Sequence, residues 1–487
     1  MDRDEAEKKQ NPVSQREGHI QEGFGLEGTG MLREIWAALG QPADLLTRLR
    51  AGGEGDLPSV YAVTDLATAS VGAAALSMAS LIARRHGHVP TVQVDRVLAS
   101  RWFKQSIQPI GWSLPPTWDA IAGDYEARDG WIKLHTNAPL HRLAALRALA
   151  LDPSDGSIRR EKVAAAVKSM NARDLESAII AQGGCAAEMR SAQEWAIHPQ
   201  GRAVALEPLL AVQESEIGAA PADWPLDMEQ PLRGIRVLDL TRILAGPVAT
   251  RFLAGYGAHV LRIDPIDWDE PVVAPEVTLG KKRARLDLRS RDGLATFERL
   301  LSEADVLVHG YRGDALEKLG LGGRRRRELN PSLVDVSLDA YGWTGPWCVR
   351  RGFDSLVQMS SGIAEAGMRI QGKSEPTPLP VQALDHATGY LLAAAVLTGL
   401  ARRIDHGRGS STRASLARTA AMFTQNSAPR LRENVPLRDE QTRDYAHEIE
   451  QTPWGSARRL LPPYTVAGAP VRWALPAGNL GDSAPAW

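Results

Sequence analysis

From residue 232 onward the chain alternates short runs of Val, Ile and Leu with stretches of helical period. IRVLDL (235–240), HVLRID (259–264), RARLDL (283–288), DVLVHG (305–310) and LVDVSL (333–338) read as strands, with helical text such as 246–256 and 293–303 between most of them. Such alternation predicts an α/β fold: a Rossmann-like parallel sheet with flanking helices, and ligands beyond the carboxyl ends of its strands. Upstream, helical text at 31–50 precedes an Ala/Ser-rich apolar helix from about 65 to 85, and 124–208 mixes strand and helix signals. The expected organisation is a disordered tail (1–30), a helical segment (31–123), a smaller α+β domain (124–220), the Rossmann-like domain (221–425) and a C-terminal wrapping tail (426–487).

A shift of 320 positions aligns DLATASVGAAALSMASLIARRHG, starting at Asp65, with DHATGYLLAAAVLTGLARRIDHG, starting at Asp385. Each segment places a carboxylate at a helix start and a His-Gly stop about twenty residues later. Capping of free helix N–H groups by the Asp accounts for this placement without any further role. Gly23, Gly25 and Gly28 fit GxGxxG, but no strand precedes them, so the nucleotide-loop reading fails its context. The first strand is followed by LDLTRILAGP, not a Gly-rich dinucleotide fingerprint.

Composition narrows the function classes. Lys+Arg number 57 against 58 Asp+Glu, a net charge of −1 that argues against a nucleic-acid partner. Two cysteines, Cys185 and Cys348, argue against a disulfide framework or a Cys-based metal site. The charged N-terminus lacks a signal-peptide core and the longest apolar stretch, 67–83, reads as a buried helix, so a soluble cytoplasmic protein without membrane contact is expected.

Seven motifs occur in order between 231 and 423: PLRGIRVLDLTRILAGP, GAHVLRIDP, GKKRARLDLRSRDG, ADVLVHGYRGDALEKLGLG, NPSLVDVSLDAYGWTGP, RRGFDSLVQMSSG and VQALDHATGYLLAAAVLTGLARR. Through them the chain closely resembles the family III CoA-transferases, the CaiB/BaiF group that includes formyl-CoA transferase and the α-methylacyl-CoA racemases. The segment 124–208 is weakly similar to that family's small domain, which here lies upstream of the sheet, so the arrangement reads as fused or permuted with one CoA site per chain. The resemblance implies a CoA-transferase acting on an acyl-CoA and a small organic acid, with no tightly bound cofactor or metal, CoA as substrate, and an interlocked homodimer.

The family motif places the nucleophilic aspartate at Asp385, whose helix N-terminus is expected to keep it ionised. Asp65 is the weaker candidate, because Gly389, four residues after Asp385, is read as leaving room for a thioester and Ala69 stands at that offset from Asp65. Arg262, Lys281, Lys282, Tyr311 and Arg312 match positions expected to contact CoA. Arg324, Arg325, Arg326 and Arg327 read as a solvated helix face. The family's [FY]RPG turn is here Tyr311-Arg312-Gly313-Asp314, Leu244 replaces a polar Gln, and Phe353 precedes Asp354 where the racemase branch has His. Racemisation or isomerisation of an acyl-CoA, and a catalytically inactive CoA-binding protein, are the alternatives.

Overall fold

The computed structural model describes residues 23–218, 224–433 and 435–487. Its main sheet has seven strands: β1 (Ala211–Gly218), β2 (Arg236–Leu240), β3 (His259–Asp264), β4 (Lys281–Arg285), β5 (Val306–His309), β6 (Val334–Asp339) and β7 (Arg408–Ser415). They lie in the order β4-β3-β2-β5-β6-β7-β1, all parallel except β1, which pairs antiparallel with β7 at the edge. The chain runs outward in one direction from β2 and in the other from β5. The crevice between their carboxyl ends is therefore the topological switch point at which such sheets bind ligands. The expected Rossmann-like sheet is present, with two further strands at one edge, parallel β7 and antiparallel β1, that the sequence reading did not include.

The 320-residue echo is structural. Helices Val63–His86 and Ala383–His406 both have 24 residues and end at left-handed glycines, Gly87 (φ 73°) and Gly407 (φ 67°). Both start from an inverse γ-turn, with Ala62 at φ −79°, ψ 65° and Gln382 at φ −73°, ψ 65°. The correspondence continues past the sequence match: Asp95 and Ser415 each cap a helix by accepting from the N–H three residues on, Leu98 and Arg418. The two long helices pack on one another in the main core. Their mean hydropathies, 1.7 and 1.2, and their lengths would suffice to cross a membrane, but 94% and 100% of those windows are buried inside the fold, as the sequence reading expected of the first.

The upstream half completes the molecule around this pair. Strands Leu49–Gly52 and Val92–Asp95 run parallel beside the first long helix, and Tyr464–Val466 of the C-terminal segment joins them antiparallel. That segment then crosses the main sheet, where Trp473 stacks on Trp102 at 5.7 Å and donates to the Arg251 carbonyl. A three-stranded antiparallel sheet (Gly123–Glu126, Trp131–Leu134, Ala186–Glu188) and its helices form a second small core. It seats on helix Asp354–Ser360 through Cys185, Ala187, Leu356 and Met359. The first helix, Leu26–Ala38, begins inside the stretch that the sequence reading assigned to a disordered tail; residues 1–22 of that stretch lie outside the described residues.

Candidate active site

A cavity of about 650 Å³ opens at the switch point. The segments following β2, β3, β4, β5 and β6 all line it, and Asp385 does so from the second long helix. Leu244, Leu338, Phe353 and Leu416 wall it with apolar surface, and its cations include Arg242, Arg289 and Arg312.

Asp385 sits at the third position of its helix, so it is not a cap. The first-turn N–H groups of Leu384 and Asp385 donate instead to Asp354 Oδ2, at 2.8 and 3.0 Å. Asp354 is buried and also accepts from Gln358 Nε2. With three donors, Asp354 holds the negative charge. The Asp385 carboxyl makes no hydrogen bond or ion pair among the described residues, and burial together with the Asp354 charge pushes it well above the usual carboxylate range. The expectation that its helix N-terminus keeps Asp385 ionised is thus corrected: Asp354 has taken those donors.

Asp65 occupies the equivalent helix position in a different environment. Its carboxylate is paired with Arg96 at 2.5 Å, and Arg96 also reaches Asp56 at 3.2 Å. Gly25 and Gly28 let the start of helix Leu26–Ala38 lie on this carboxylate: a Cβ there would meet Asp65 Oδ2 at 3.0 Å and its Cβ at 3.2 Å. The glycines of the GxGxxG pattern thus serve packing. Asp65 does not cap its helix; its carboxylate is half of an ion pair at the wall of a separate cavity of about 340 Å³, which Arg96 also lines. Asp65→Asn is expected to cost about 1–3 kcal/mol by leaving Arg96 under-paired, which thermal melts of variant and wild type check.

The expected CoA contacts divide. Tyr311 and Arg312 line the cavity. Arg262 and Lys281 do not, because both are fully buried behind the loop that follows β2. Arg262 pairs with Asp264 at 2.8 Å and Glu270 at 2.5 Å, and Glu270 in turn accepts from the Ile243 N–H at 2.9 Å. Ile243 has φ 65°, a costly conformation for a β-branched residue that neighbours must enforce. Lys281 donates to Asp239 and to the Pro247 carbonyl, both at 3.0 Å, tying β2 to the start of helix Ala245–Gly255. Lys282 is exposed and lies outside the cavity lining. These cations shape the loop rather than face the ligand. Gly389 is likewise corrected: a Cβ there would lie 2.5 Å from the Ala245 carbonyl oxygen, so it admits the neighbouring helix rather than a thioester.

Sequence reasoning missed Arg242 and Arg289. Arg242 is sandwiched between Trp268 (4.4 Å) and Tyr311 (4.9 Å), and its Nη2 donates to the Tyr311 hydroxyl. It also missed His135 and His141 of the small domain, whose rings lie 3.8 and 5.8 Å from that of Phe353; burial keeps both neutral, lowering them to about 3 and about 4. His386 and His309 are buried elsewhere, against Phe103 and Asp335. Asp314 is tied to Arg312 at 3.1 Å and to Lys318, so its charge is compensated. Among the described residues no three His, Cys, Asp or Glu side chains form a candidate metal set.

Residues 232–452 match the model of CoA-transferase family III. An acyl-CoA transferase of Gibberella moniliformis is 28% identical over 70% of this chain and 62% of its own length. The succinyl-CoA:glutarate CoA-transferase of Mus musculus is 30% identical over 49% of this chain and 54% of its own. A probable fatty acyl-CoA transferase of Mycobacterium tuberculosis is 35% identical over 37% and 48%. The crystal structure of that mycobacterial protein is 32% identical and covers 40% of this chain and 58% of the other, with a TM-score of 0.36. The chain thus spans roughly half to three fifths of these relatives. Asp385, Asp354, the cavity cations and the strained Ile243 loop all fall within the matched segment.

Proposed function

We propose that the chain transfers CoA from an acyl-CoA to an organic acid, with Asp385 as the covalent carrier. The observation that carries this reading is the unpaired carboxyl of Asp385, alone of the two echoed aspartates in opening onto the switch-point cavity. The ionised carboxylate attacks the thioester carbonyl, giving an aspartyl–acyl anhydride and CoA thiolate. The thiolate attacks the Asp385 carbonyl, releasing the first acid and leaving an aspartyl-CoA thioester. The acceptor carboxylate attacks that thioester, and the returning thiolate takes the acceptor acyl group and frees Asp385. Thioester energy is conserved throughout, and each displacement is easier than a direct one. Arg242, Arg289 and Arg312 supply positive charge for the phosphates, and Arg262 and Lys281 hold the loop from behind.

The test is exchange of CoA between labelled acyl-CoAs and free acids, followed by chromatography; turnover dependent on the acceptor acid supports the reading. Asp354 gives the pH dependence. Asp385 must ionise beside its charge, so transfer should rise with pH through a carboxyl titration displaced upward. Asp354→Asn keeps an oxygen acceptor for the helix N–H groups but removes the charge, and it should move the rising limb to lower pH. An unchanged or alkaline-shifted limb would count against Asp354 as the cause.

A second reading, acyl-CoA racemase or isomerase, is favoured by one observation: a carboxyl raised by its surroundings shares the cavity with neutral His141, a pairing suited to proton exchange. It predicts α-deuterium incorporation without any acceptor acid. A catalytically inactive CoA binder would show neither exchange. The small domain and the family III domain meet within one chain, so a homodimer, implied by resemblance, would join two sites each built from a single chain.

A further inference from the structure

Parallel strands covered by helices are apolar on both faces, yet β5, β6, β7 and β1 carry a polar face. Two rows of register neighbours cross the sheet: His309, Ser337 and Arg413, and next to it Asp335, Ser411 and Gln213. Both rows line a cavity of about 620 Å³, separate from the one at Asp385 except for their shared wall, Tyr311 and Arg312. The arginine run, expected to be a solvated face, splits here. Arg325 turns outward to Glu298 at 2.8 Å, whereas Arg326 grips the buried Asp335 at 2.8 Å and Arg327 lines the cavity.

Donors around this cavity lack acceptors. Arg327 Nη1 and Ser215 Oγ are buried donors without a hydrogen-bond partner. Arg413, exposed at the cavity mouth, lies over the Trp343 ring at 5.2 Å and has no carboxylate partner among the described residues, so its charge is free for a ligand. Two of the lining acids are already engaged, Asp335 by Arg326 and His309, and Glu328 by Arg324 at 3.0 Å. Folded proteins leave few buried polar groups unpaired, so orphaned donors converging on one cavity call for an acceptor-rich occupant. They approach from a helix and two strands, which suits a tetrahedral oxyanion better than a planar carboxylate.

We propose that this cavity binds a small phosphate-bearing anion at a second site, joined to the CoA cavity through Arg312. Inorganic phosphate and a phosphorylated metabolite would present the same group. The test is isothermal titration of the full chain, presaturated with CoA, with inorganic phosphate, pyrophosphate and a sugar phosphate. One site per chain should remain measurable with CoA bound, and Arg413→Gln and Arg327→Gln should each weaken it at least about tenfold while leaving CoA affinity within about twofold. Tighter binding of the sugar phosphate would identify a metabolite, and equal binding the free ion. Loss of the signal once CoA is bound, or indifference to both substitutions, would overturn the proposal. Binding is read without turnover, so the result stands apart from the transferase reading.

Discussion

Replacing Asp385 by Asn is expected to lower acyl transfer by at least about 10³-fold, since a missing nucleophile leaves only binding and orientation. The same change should raise stability. In the folded chain, burial and the Asp354 charge hold the Asp385 carboxyl above its ordinary range. A carboxyl raised on folding contributes most while protonated, and that contribution is lost as pH rises through its folded value. Asn cannot ionise, so Asp385→Asn should melt above wild type at pH 8, with the gap narrowing towards pH 5. The Asp65→Asn variant should do the reverse, losing stability and keeping transfer. Melting curves at several pH values, with a transfer assay on each variant, read both halves of this contrast.

The second large effect is on stability. Lys281 and Asp239 are both fully buried and 3.0 Å apart, and Asp239 also accepts from the Thr241 and Thr250 hydroxyls. Lys281→Met leaves a buried carboxylate with only neutral donors, the two hydroxyls and the Thr241 N–H, a loss of about 3–5 kcal/mol. The double variant Asp239→Asn/Lys281→Met removes the stranded charge and should recover a large part of that. Urea unfolding of both variants checks the ordering. Equal losses in the single and double variants would show that packing, not charge, is at stake there.

Five strands of the sheet were legible because they are short apolar runs set apart by helices, whereas β7 (RGSSTRAS) and β1 (AVQESEIG) were hidden by their polar text; the long helices were legible because Ala-rich text and a His-Gly stop recur at one fixed offset. The nucleophile candidate was legible through its motif. What the two aspartates do was not. Both lie at the third position of equivalent helices, and their difference comes from Arg96 in one case and Asp354 in the other, supplied by separate elements. The side of the sheet to which Arg262 and Lys281 point was hidden for a similar reason. Parallel strands are buried on both faces, so alternation carries no direction, and the deciding partners, Glu270 and Asp239, are not neighbours in sequence. Arg242 stood in the quoted LDLTRILAGP text, but its place between Trp268 and Tyr311 needs three loops brought together.

The most direct test of the central claim is peptide mass spectrometry after incubation with a panel of acyl-CoAs and trapping with hydroxylamine. The account predicts a hydroxamate on Asp385, formed only with acyl-CoAs that turn over, and no adduct on Asp65. A hydroxamate on Asp65, or turnover with no trapped adduct on Asp385, would contradict it.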